Sequence, residues 1–228
     1  MNSRLVYING KFIKEKEAKI SIYDSALMFG DMVFEMTRSF NHQQFKLKDH
    51  LERLLRGIKI YRIPLNLSLE DLTKICEETI KKNKDFFNKN DEHRLMINVS
   101  RGPLGPYSEV FDNKMEPTLV VSDFPLKWTI SSMWKLFEEG INGVITNQKA
   151  IPYYYLDPKI KNRSRAFYQM ANIEASDFKG KNNWAILTDK DGYIAEGSGC
   201  NIFIVKKKQN LYSSRKRLSR RNIKKLYF

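Results

Sequence analysis

The hydrophobic period of the chain changes from that of a strand to that of a helix within its first third. Residues 32–40 are apolar and aromatic enough for a β-strand, whereas residues 48–61 are amphipathic with a helical period. The apolar residues of this second segment recur at i, i+3, i+4 and i+7, namely Leu51, Leu54, Leu55 and Ile58. Strands and helices then alternate in blocks, without the regular repeat of a doubly wound sheet, which predicts an α+β fold.

Turn and capping signals predict further elements along the chain. Asn9-Gly10 suits a type I′ turn, and it separates two short apolar segments that would form a hairpin. Ser68 with Asp71 three residues later predicts a capping box at the start of a helix. The other predicted elements are strands at 94–100, 118–122, 143–146 and 201–205, helices at 132–139 and 162–178, and a hairpin of 184–187 with 193–195.

These elements fall into two lobes separated by a polar, proline-containing stretch. We predict an N-terminal α+β lobe at 1–123, a linker at 124–130 and a C-terminal lobe at 131–205. Residues 206–228 follow as an atypical basic tail. This tail holds ten Lys and Arg residues and no acidic one, whereas residues 1–205 hold 30 basic and 26 acidic residues. The net charge of +14 therefore belongs mainly to the tail, and the nearly balanced body needs no polyanionic partner.

The cysteines, the histidines and the hydropathy of the chain indicate its compartment and argue against a metal site and a membrane span. The two cysteines are far apart and suit a reducing compartment rather than a disulfide framework. The three histidines lack metal-binding spacing, so we expect no metal site. The first residues do not resemble a secretion signal, and no segment approaches the roughly 20 apolar residues of a membrane span. We expect a cytoplasmic protein that does not enter a membrane.

Five short segments are more informative in their order than any of them is alone. They are 20–38 (ISIYDSALMFGDMVFEMTR), 47–54 (LKDHLERL), 94–102 (RLMINVSRG), 160–175 (IKNRSRAFYQMANIEA) and 196–203 (EGSGCNIF). In this order they resemble the signatures of the fold-type IV pyridoxal-phosphate enzymes. That family includes branched-chain aminotransferases, D-amino-acid aminotransferases and aminodeoxychorismate lyases. The resemblance covers about residues 3–205 and implies a two-lobed fold like that of D-amino-acid aminotransferase.

The resemblance also implies a site for pyridoxal 5'-phosphate. Lys161 matches the catalytic lysine that bonds the cofactor and moves a proton, and Lys159 is its local competitor. Glu196 matches the carboxylate that keeps the pyridine nitrogen protonated. Arg53 matches the arginine that binds the phosphate through a fork of donors, and His50 lies one turn before it.

Each of these residues also has an ordinary structural interpretation. From pattern alone, Lys161 is a solvated residue at the start of a helix, and Glu196 is a surface glutamate at the end of a strand. Arg53 lies off the apolar face of its helix, so it would point to solvent. These alternatives stay open at the level of the sequence.

Substrate specificity is predicted from weaker similarities. Four residues are candidates for the substrate pocket: Phe29, Arg38, Arg101 and Tyr155. Residues 103–108 lack the arginine and histidine that D-amino-acid aminotransferases place there, whereas 157–165 resemble bacterial branched-chain aminotransferases. We therefore predict a homodimer that transfers an amino group between a branched-chain amino acid and 2-oxoglutarate. A D-amino-acid aminotransferase, an aminodeoxychorismate lyase and an inactive relative that acts as a binding module stay open as alternatives.

The last residues do not continue the family pattern. Members of the family extend well beyond the segment that matches 196–203, and they complete the phosphate site with a glycine-containing turn at a helix N-terminus. Here no glycine follows Gly199. We expect that the second lobe is incomplete because of a frameshift or truncation after about residue 205. A genuine basic tail that binds nucleic acid or an anionic surface, and a divergent functional C-terminus, are the less favoured explanations.

Overall fold

The computed structural model describes residues 3–206 and 209–212, which divide into two units. The described part of the first unit comprises residues 3–131 and 160–164, and that of the second comprises 132–159, 165–206 and 209–212. The stretch 124–130, expected as a linker, instead contains the end of a strand and a four-residue helix. Most of the basic tail lies outside the described residues.

The first unit is built on a six-stranded antiparallel sheet. Its strands are β1 (Leu5–Ile8), β2 (Lys11–Lys14), β3 (Met32–Phe40), β4 (Gln43–Gln44), β5 (His93–Ser100) and β6 (Thr118–Pro125). They are arranged in the order β2-β1-β6-β5-β3-β4. Its helices are α1 (Ser25–Phe29), α2 (Leu47–Ile60), α3 (Leu69–Asn83) and α4 (Lys127–Ile130), with short 3-10 helices at Glu15–Glu17, Lys84–Phe86 and Gly105–Phe111.

Local sequence explains how these elements begin and turn. Asn9 and Gly10 both have positive φ angles, 43° and 88°, as the type I′ turn between β1 and β2 requires. The Ser68 side chain and that of Asp71 form the predicted capping box at the start of α3. The predictions of the first hairpin, of α2 and of α3 are confirmed.

The core of the first unit lies between one face of the sheet and the helices α2 and α3. Its buried side chains include Leu51, Leu54 and Ile58 of α2, Leu72 and Cys76 of α3, and Leu95, Ile97, Val99 and Val121 of the central strands. Because side chains alternate across a strand, Val33, Glu35 and Thr37 of β3 also face these helices. A carboxylate therefore lies on the apolar face of the sheet.

The second unit contains a smaller sheet covered by one helix. Its elements are α5 (Lys135–Glu139), β7 (Asn142–Lys149), α6 (Ala166–Ser176), β8 (Asn183–Thr188), β9 (Ile194–Gly197), β10 (Phe203–Lys206) and β11 (Gln209–Tyr212). Strands β7 and β8 are parallel, β9 is antiparallel to β8, and β10 pairs separately with β11. Ala171 and Ala175 are fully buried, and their small side chains let α6 pack closely on the sheet.

Two predicted helices begin later than expected, and the one expected at 132–139 begins only at Lys135. The helix expected at 162–178 begins only at Ala166, because the preceding residues are extended and pair with β3. Lys161 therefore does not open the helix. Among the described residues, no helix combines the length and the apolar character that crossing a membrane would require.

Candidate functional site

The segment that carries Lys161 is held against β3 by backbone hydrogen bonds. Phe34 N–H donates to the Lys161 carbonyl at 2.9 Å, and Arg163 N–H donates to the Met32 carbonyl at 2.9 Å. Ile160, on one side of Lys161, is buried in the core of the first unit. The backbone of Lys161 is thus positioned by the sheet rather than by a helix.

The Lys161 side chain is half-buried beside an aromatic ring. Its Nζ atom lies 4.5 Å from the centre of the Phe34 ring, and the Arg163 guanidinium carbon lies 3.7 Å from the same centre. Arg163 also donates to Asn98 Oδ1, which fixes this second cation on the sheet. Lys159, the competing lysine, is exposed. The two lysines therefore differ in environment, and Lys161 is the one in a defined, partly desolvated position.

Arg53 and His50 of α2 converge on Glu35 of β3. Arg53 Nε donates to Glu35 Oε1, and its Nη2 donates to Oε2 at 2.7 Å. His50 Nδ1 lies 2.8 Å from the same Oε2 atom. The Glu35 side chain is completely buried, and Arg53 is 7% exposed. We refer to these three residues as the Glu35 cluster.

The Glu35 cluster shows that the expectation of a solvent-facing Arg53 was wrong. Arg53 lies beside the apolar stripe of α2, which packs on β3. Because β3 carries the buried carboxylate of Glu35 at this point, the Arg53 guanidinium points inward and bonds it. Burial by itself raises the pKa of Glu35, but the hydrogen bonds and charges of His50 and Arg53 outweigh it, so the pKa is lowered from its ordinary value. Glu35 is accordingly an anion in the folded protein at neutral pH.

Glu35 was not assigned a role from the sequence, because the local pattern suggests an exposed position. Side chains alternate between the faces of a strand, so Glu35 shares a face with Thr37 and Ser39, whereas Phe34 and Met36 lie on the other face. Only the packing of α2 on this face shows that Glu35 is buried and requires a partner. The pattern could not identify that partner, because Arg53 and His50 follow 15–18 residues later.

Glu196 lies on β9 of the second unit and is half-buried. The Tyr168 hydroxyl of α6 donates a hydrogen bond to Glu196 Oε1. This bond fixes the orientation of the carboxylate relative to the helix. Tyr168 is a second residue that sequence reasoning missed, and no local pattern connects it with a strand 28 residues away.

The weaker substrate candidates occupy very different environments. Phe29 is 68% exposed at the end of α1, and Tyr155 is 78% exposed in the second unit. Arg101 bonds Asp31 and the carbonyls of Tyr61 and Arg62, so its donors serve the internal structure of the first unit. Arg38 lies over the Phe40 ring at 4.0 Å.

The donor set of these residues suits the groups of pyridoxal phosphate. Lys161 provides an amine, Glu196 an oriented carboxylate, and Arg53 with His50 a group of nitrogen donors suited to a phosphate. Lys161, Arg53 and His50 belong to the first unit, whereas Glu196 belongs to the second. The Nε side of Arg53 is engaged by Glu35, so part of its positive charge is already balanced within the protein.

Comparisons with known proteins agree with this chemistry. The family model described as amino-transferase class IV matches residues 32–219. A Methanocaldococcus jannaschii protein assigned as a branched-chain-amino-acid aminotransferase is 32% identical over 204 residues, which are 88% of this chain and 65% of that protein. The D-alanine aminotransferase of Staphylococcus epidermidis is 27% identical over 204 residues, which are 88% of this chain and 66% of that enzyme.

Solved structures confirm the fold. The branched-chain aminotransferase of Thermoproteus uzoniensis with norvaline aligns with a TM-score of 0.75 at 24% identity, over 92% of this chain and 68% of that chain. A branched-chain amino acid aminotransferase complexed with N-(5'-phosphopyridoxyl)-L-glutamate aligns with a TM-score of 0.74 at 22% identity, over 93% of this chain and 67% of that chain. The α+β fold implied by the sequence resemblance is thereby confirmed. This chain spans about two thirds of the length of the relatives that it matches.

Proposed function

This chain belongs to the class IV amino-transferases, and we propose that it transfers an amino group between a branched-chain amino acid and 2-oxoglutarate with pyridoxal 5'-phosphate as cofactor. The observation that carries this proposal is the position of Lys161. Its backbone is fixed by β3 and its amine is half-buried against Phe34, whereas the neighbouring Lys159 is exposed. The relatives assigned as branched-chain aminotransferases support the choice of substrate.

The residues of the chain would divide the chemistry among them. When bound, pyridoxal phosphate supplies an electron sink for the negative charge that develops at the substrate Cα. The Lys161 amine would move a proton at the substrate Cα. Glu196 would hold a proton at the pyridine nitrogen, and Tyr168 keeps this carboxylate oriented. Arg53 and His50 would hold the phosphate, while Glu35 fixes the direction of the guanidinium.

The other features implied by the family remain proposals. We propose a homodimer in the cytoplasm that acts on amino acids and 2-oxo acids, with Phe29, Arg38, Arg101 and Tyr155 as candidates for the substrate pocket. Among these four, Arg38 has the strongest support, because its positive charge suits the carboxylate that every such substrate carries. The hydrogen bonds of Arg101 within the first unit favour a structural contribution.

A second arginine supports the choice of Arg38. The register of β3 and β5 places Arg94 directly opposite Arg38, so both side chains lie on one face of the sheet. Arg38 Nε donates to the Ser39 carbonyl at 3.1 Å, and Arg94 Nη1 donates to Thr129 Oγ1 at 2.7 Å. Burial lowers the pKa of Arg94, and the charge of Arg38 lowers it further. Two neighbouring cations repel each other, and a substrate carboxylate would relieve this repulsion.

Covalent labelling tests the cofactor lysine without requiring turnover. The purified full chain is incubated with pyridoxal phosphate, reduced with borohydride, digested and analysed by mass spectrometry. We expect the phosphopyridoxyl group on Lys161, no label at this position in Lys161→Ala, and wild-type labelling in the matched control Lys159→Ala. A label that falls on Lys159 would contradict the assignment.

An activity assay then tests the reaction itself. Leucine, isoleucine and valine are each supplied with 2-oxoglutarate, and glutamate formation is measured for the wild type and for Lys161→Ala. D-Alanine is the informative alternative donor, since one of the relatives is a D-alanine aminotransferase. Glutamate formed from D-alanine but not from the three branched-chain amino acids would favour the D-amino-acid alternative.

A further inference from the structure

Helix α1 ends at a glycine that contacts the segment carrying Lys161. Gly30 caps α1 with a φ angle of 65°, a left-handed conformation that glycine adopts without strain. The Ser164 hydroxyl donates a hydrogen bond to the Gly30 carbonyl at 3.0 Å. A Cβ atom at Gly30 would lie 3.2 Å from Ser164 Cα and 3.1 Å from its Oγ atom, both closer than an ordinary contact. The absence of a side chain at Gly30 therefore allows this close approach of the two segments.

Helix α1 is itself fixed to the sheet of the first unit. The buried Asp24 carboxylate accepts from Ala26 N–H at 2.8 Å, which caps the helix, and from the Thr118 hydroxyl of β6 at 2.6 Å. The Ser25 N–H donates to the Gly102 carbonyl at 2.9 Å, just after β5. The C-terminal end of α1 is thereby held in a fixed position.

The Asn162 side chain links the residues on both sides of Lys161. Its Oδ1 atom accepts from Ser164 N–H at 3.0 Å, and its Nδ2 atom donates to the Ile160 carbonyl at 3.2 Å. Asn162 and Ile160 are both buried, and Ile160 packs in the core of the first unit. The conformation of residues 160–164 therefore depends on particular side chains and not on backbone pairing alone.

Backbone pairing with β3 does not by itself determine which residue of the segment lies opposite Phe34. The Phe34 N–H donates to the Lys161 carbonyl, and the Arg163 N–H donates to the Met32 carbonyl. Every residue except proline can make such bonds, and side chains return to the same face of a strand after two positions. A shift of the segment by two residues would thus preserve the faces and place Lys159 where Lys161 lies.

The neighbouring side chains oppose this shift. It would place Asn162 beside Gly30 in the position of Ser164, where a larger side chain must fit against a close contact. It would also place Pro158 in the buried position of Ile160, and Ile160 in that of Asn162, which removes the two hydrogen bonds of the amide. The observed register satisfies all of these contacts.

We propose that Gly30 and Ser164 are positioning residues that fix the register of this segment, so that Lys161 rather than Lys159 is presented to the cofactor. A reacting amine contributes most when the protein holds it in one geometry, because the entropy of finding that geometry is lost on folding instead of during the reaction. The contact between Gly30 and Ser164 supplies such a constraint three residues after Lys161.

This inference deepens the proposed function and rests on Lys161 as the cofactor lysine. Neither Gly30 nor Ser164 was selected from the sequence, because 134 positions separate them. The register of the segment can be measured on the cofactor-free chain. Failure of the cofactor labelling would therefore be distinct from failure of the register proposal.

Hydrogen exchange tests whether this contact fixes the segment. Exchange of the Phe34 and Arg163 amides is measured by NMR on the cofactor-free full chain, with the amides of β5 as the reference for global unfolding. We expect Gly30→Ala to accelerate these two amides by about tenfold or more relative to β5, because the added Cβ atom separates the segment from α1. Gly10→Ala is the matched control: the φ angle of Gly10 is also positive, but the space around it is open, so both amides should exchange as in the wild type.

Removal of the serine hydroxyl is a milder test of the same contact. Ser164→Ala removes the bond to the Gly30 carbonyl and should accelerate the same two amides by about threefold or more. Ser176→Ala, which removes an exposed hydroxyl bonded to the Ile173 carbonyl, is the control and should leave them unchanged. Unchanged exchange in either Gly30→Ala or Ser164→Ala would overturn the proposal. Wild-type exchange of the two amides as fast as in an unstructured peptide would overturn it without any variant.

The choice between the two lysines is a readout that a loss of stability alone would not change. Each protein is incubated with pyridoxal phosphate and reduced with borohydride, and the label on Lys161 and on Lys159 is quantified by mass spectrometry. We expect the share of label on Lys159 to rise by about threefold or more in Gly30→Ala and Ser164→Ala, and to stay at its wild-type value in the two controls. Faster amide exchange with an unchanged share would overturn the proposed selection of Lys161. No label on either lysine in the wild type would contradict the proposed function, and amide exchange would then decide whether Gly30 and Ser164 fix the register.

Discussion

Glu35 and Arg53 form a buried, bidentate ion pair that joins the central sheet of the first unit to helix α2. The carboxylate side chain has no exposed surface, and His50 completes its hydrogen bonding. Buried ion pairs are tolerated only when both charges are well satisfied, because removing them from water is costly. Arg53, which matches the phosphate-binding arginine of the family, is therefore also part of the packing between α2 and the sheet.

Removal of the Glu35 charge should destabilise the first unit strongly. Glu35→Gln leaves the buried Arg53 guanidinium without a counter-charge, and we expect the free energy of unfolding to fall by about 3 kcal/mol or more. Urea unfolding followed by circular dichroism measures this change. Glu70→Gln, which removes an exposed partner of Lys74, is the control and should cost less than about 1 kcal/mol. An equal loss of unfolding free energy in Glu35→Gln and Glu70→Gln would show that the buried pair stabilises the fold no more than an exposed one.

The Glu35 cluster should also make the free energy of unfolding decrease at low pH. The pKa of Glu35 is lowered in the folded protein, so the unfolded chain binds the proton more readily. The contribution of Glu35 is therefore complete well above its ordinary pKa of 4.5 and is lost as the pH falls through its folded value. Urea unfolding between pH 7 and pH 3 should show this loss in the wild type. In Glu35→Gln, the free energy of unfolding should lack the part of this decrease with falling pH that comes from Glu35.

Asp123 should show the opposite dependence on pH. Its pKa is raised, mainly by burial, although His93 Nδ1 bonds Oδ2 at 2.8 Å and opposes the shift. The folded protein therefore binds the proton more readily than the unfolded chain, and stability decreases as the pH rises from 3.8 through the folded pKa. Asp123→Asn cannot titrate and should lack this decrease when unfolding is measured over the same range. An unchanged profile in the variant would show that another group titrates.

Gly102 should not tolerate a side chain. Its φ angle is +83°, and a Cβ atom would lie 1.9 Å from the Glu116 carbonyl oxygen. Strain from the positive φ costs about 1–2 kcal/mol, and overpacking against backbone adds about 1–3 kcal/mol. Gly10→Ala is the matched control, with φ of +88° and open space around the added atom. Gly102→Ala should therefore destabilise clearly more than Gly10→Ala in urea unfolding.

Tyr168 should matter for the cofactor rather than for folding. Tyr168→Phe removes the hydroxyl that orients Glu196, but this carboxylate is only half-buried, so water can replace the lost donor and the folded state loses little stability. We expect pyridoxal phosphate to bind at least tenfold more weakly, as measured by equilibrium dialysis, while thermal unfolding changes little. Tyr154→Phe, at an exposed ring, should bind the cofactor normally. If Tyr168→Phe bound pyridoxal phosphate as tightly as the wild type, the proposed contact of Glu196 with the cofactor would be contradicted.

Residues at the boundary of α6 show why part of the site could not be predicted. The sequence at 162–178 favours a helix from its first residue, because the segment contains no glycine or proline. Val33 and Asn162 nevertheless form a β-bridge, and the Asn162 side chain accepts from Ser164 N–H and donates to the Ile160 carbonyl. Pairing with a strand more than a hundred residues earlier outweighs local helical propensity, and no window of sequence contains both partners.

The sequence by itself determined the elements whose causes are local. The Asn9-Gly10 turn and the capping box of Ser68 and Asp71 depend on residues a few positions apart, and so does the apolar stripe of α2. Only the tertiary structure decided that Glu35 neutralises Arg53, that Tyr168 holds Glu196, and that Phe34 brings Arg163 beside Lys161. These relationships depend on strand register and helix packing, which join residues 15 or more positions apart. Burial makes these contacts energetically important, because a charge removed from water is costly unless another group of the protein pairs with it.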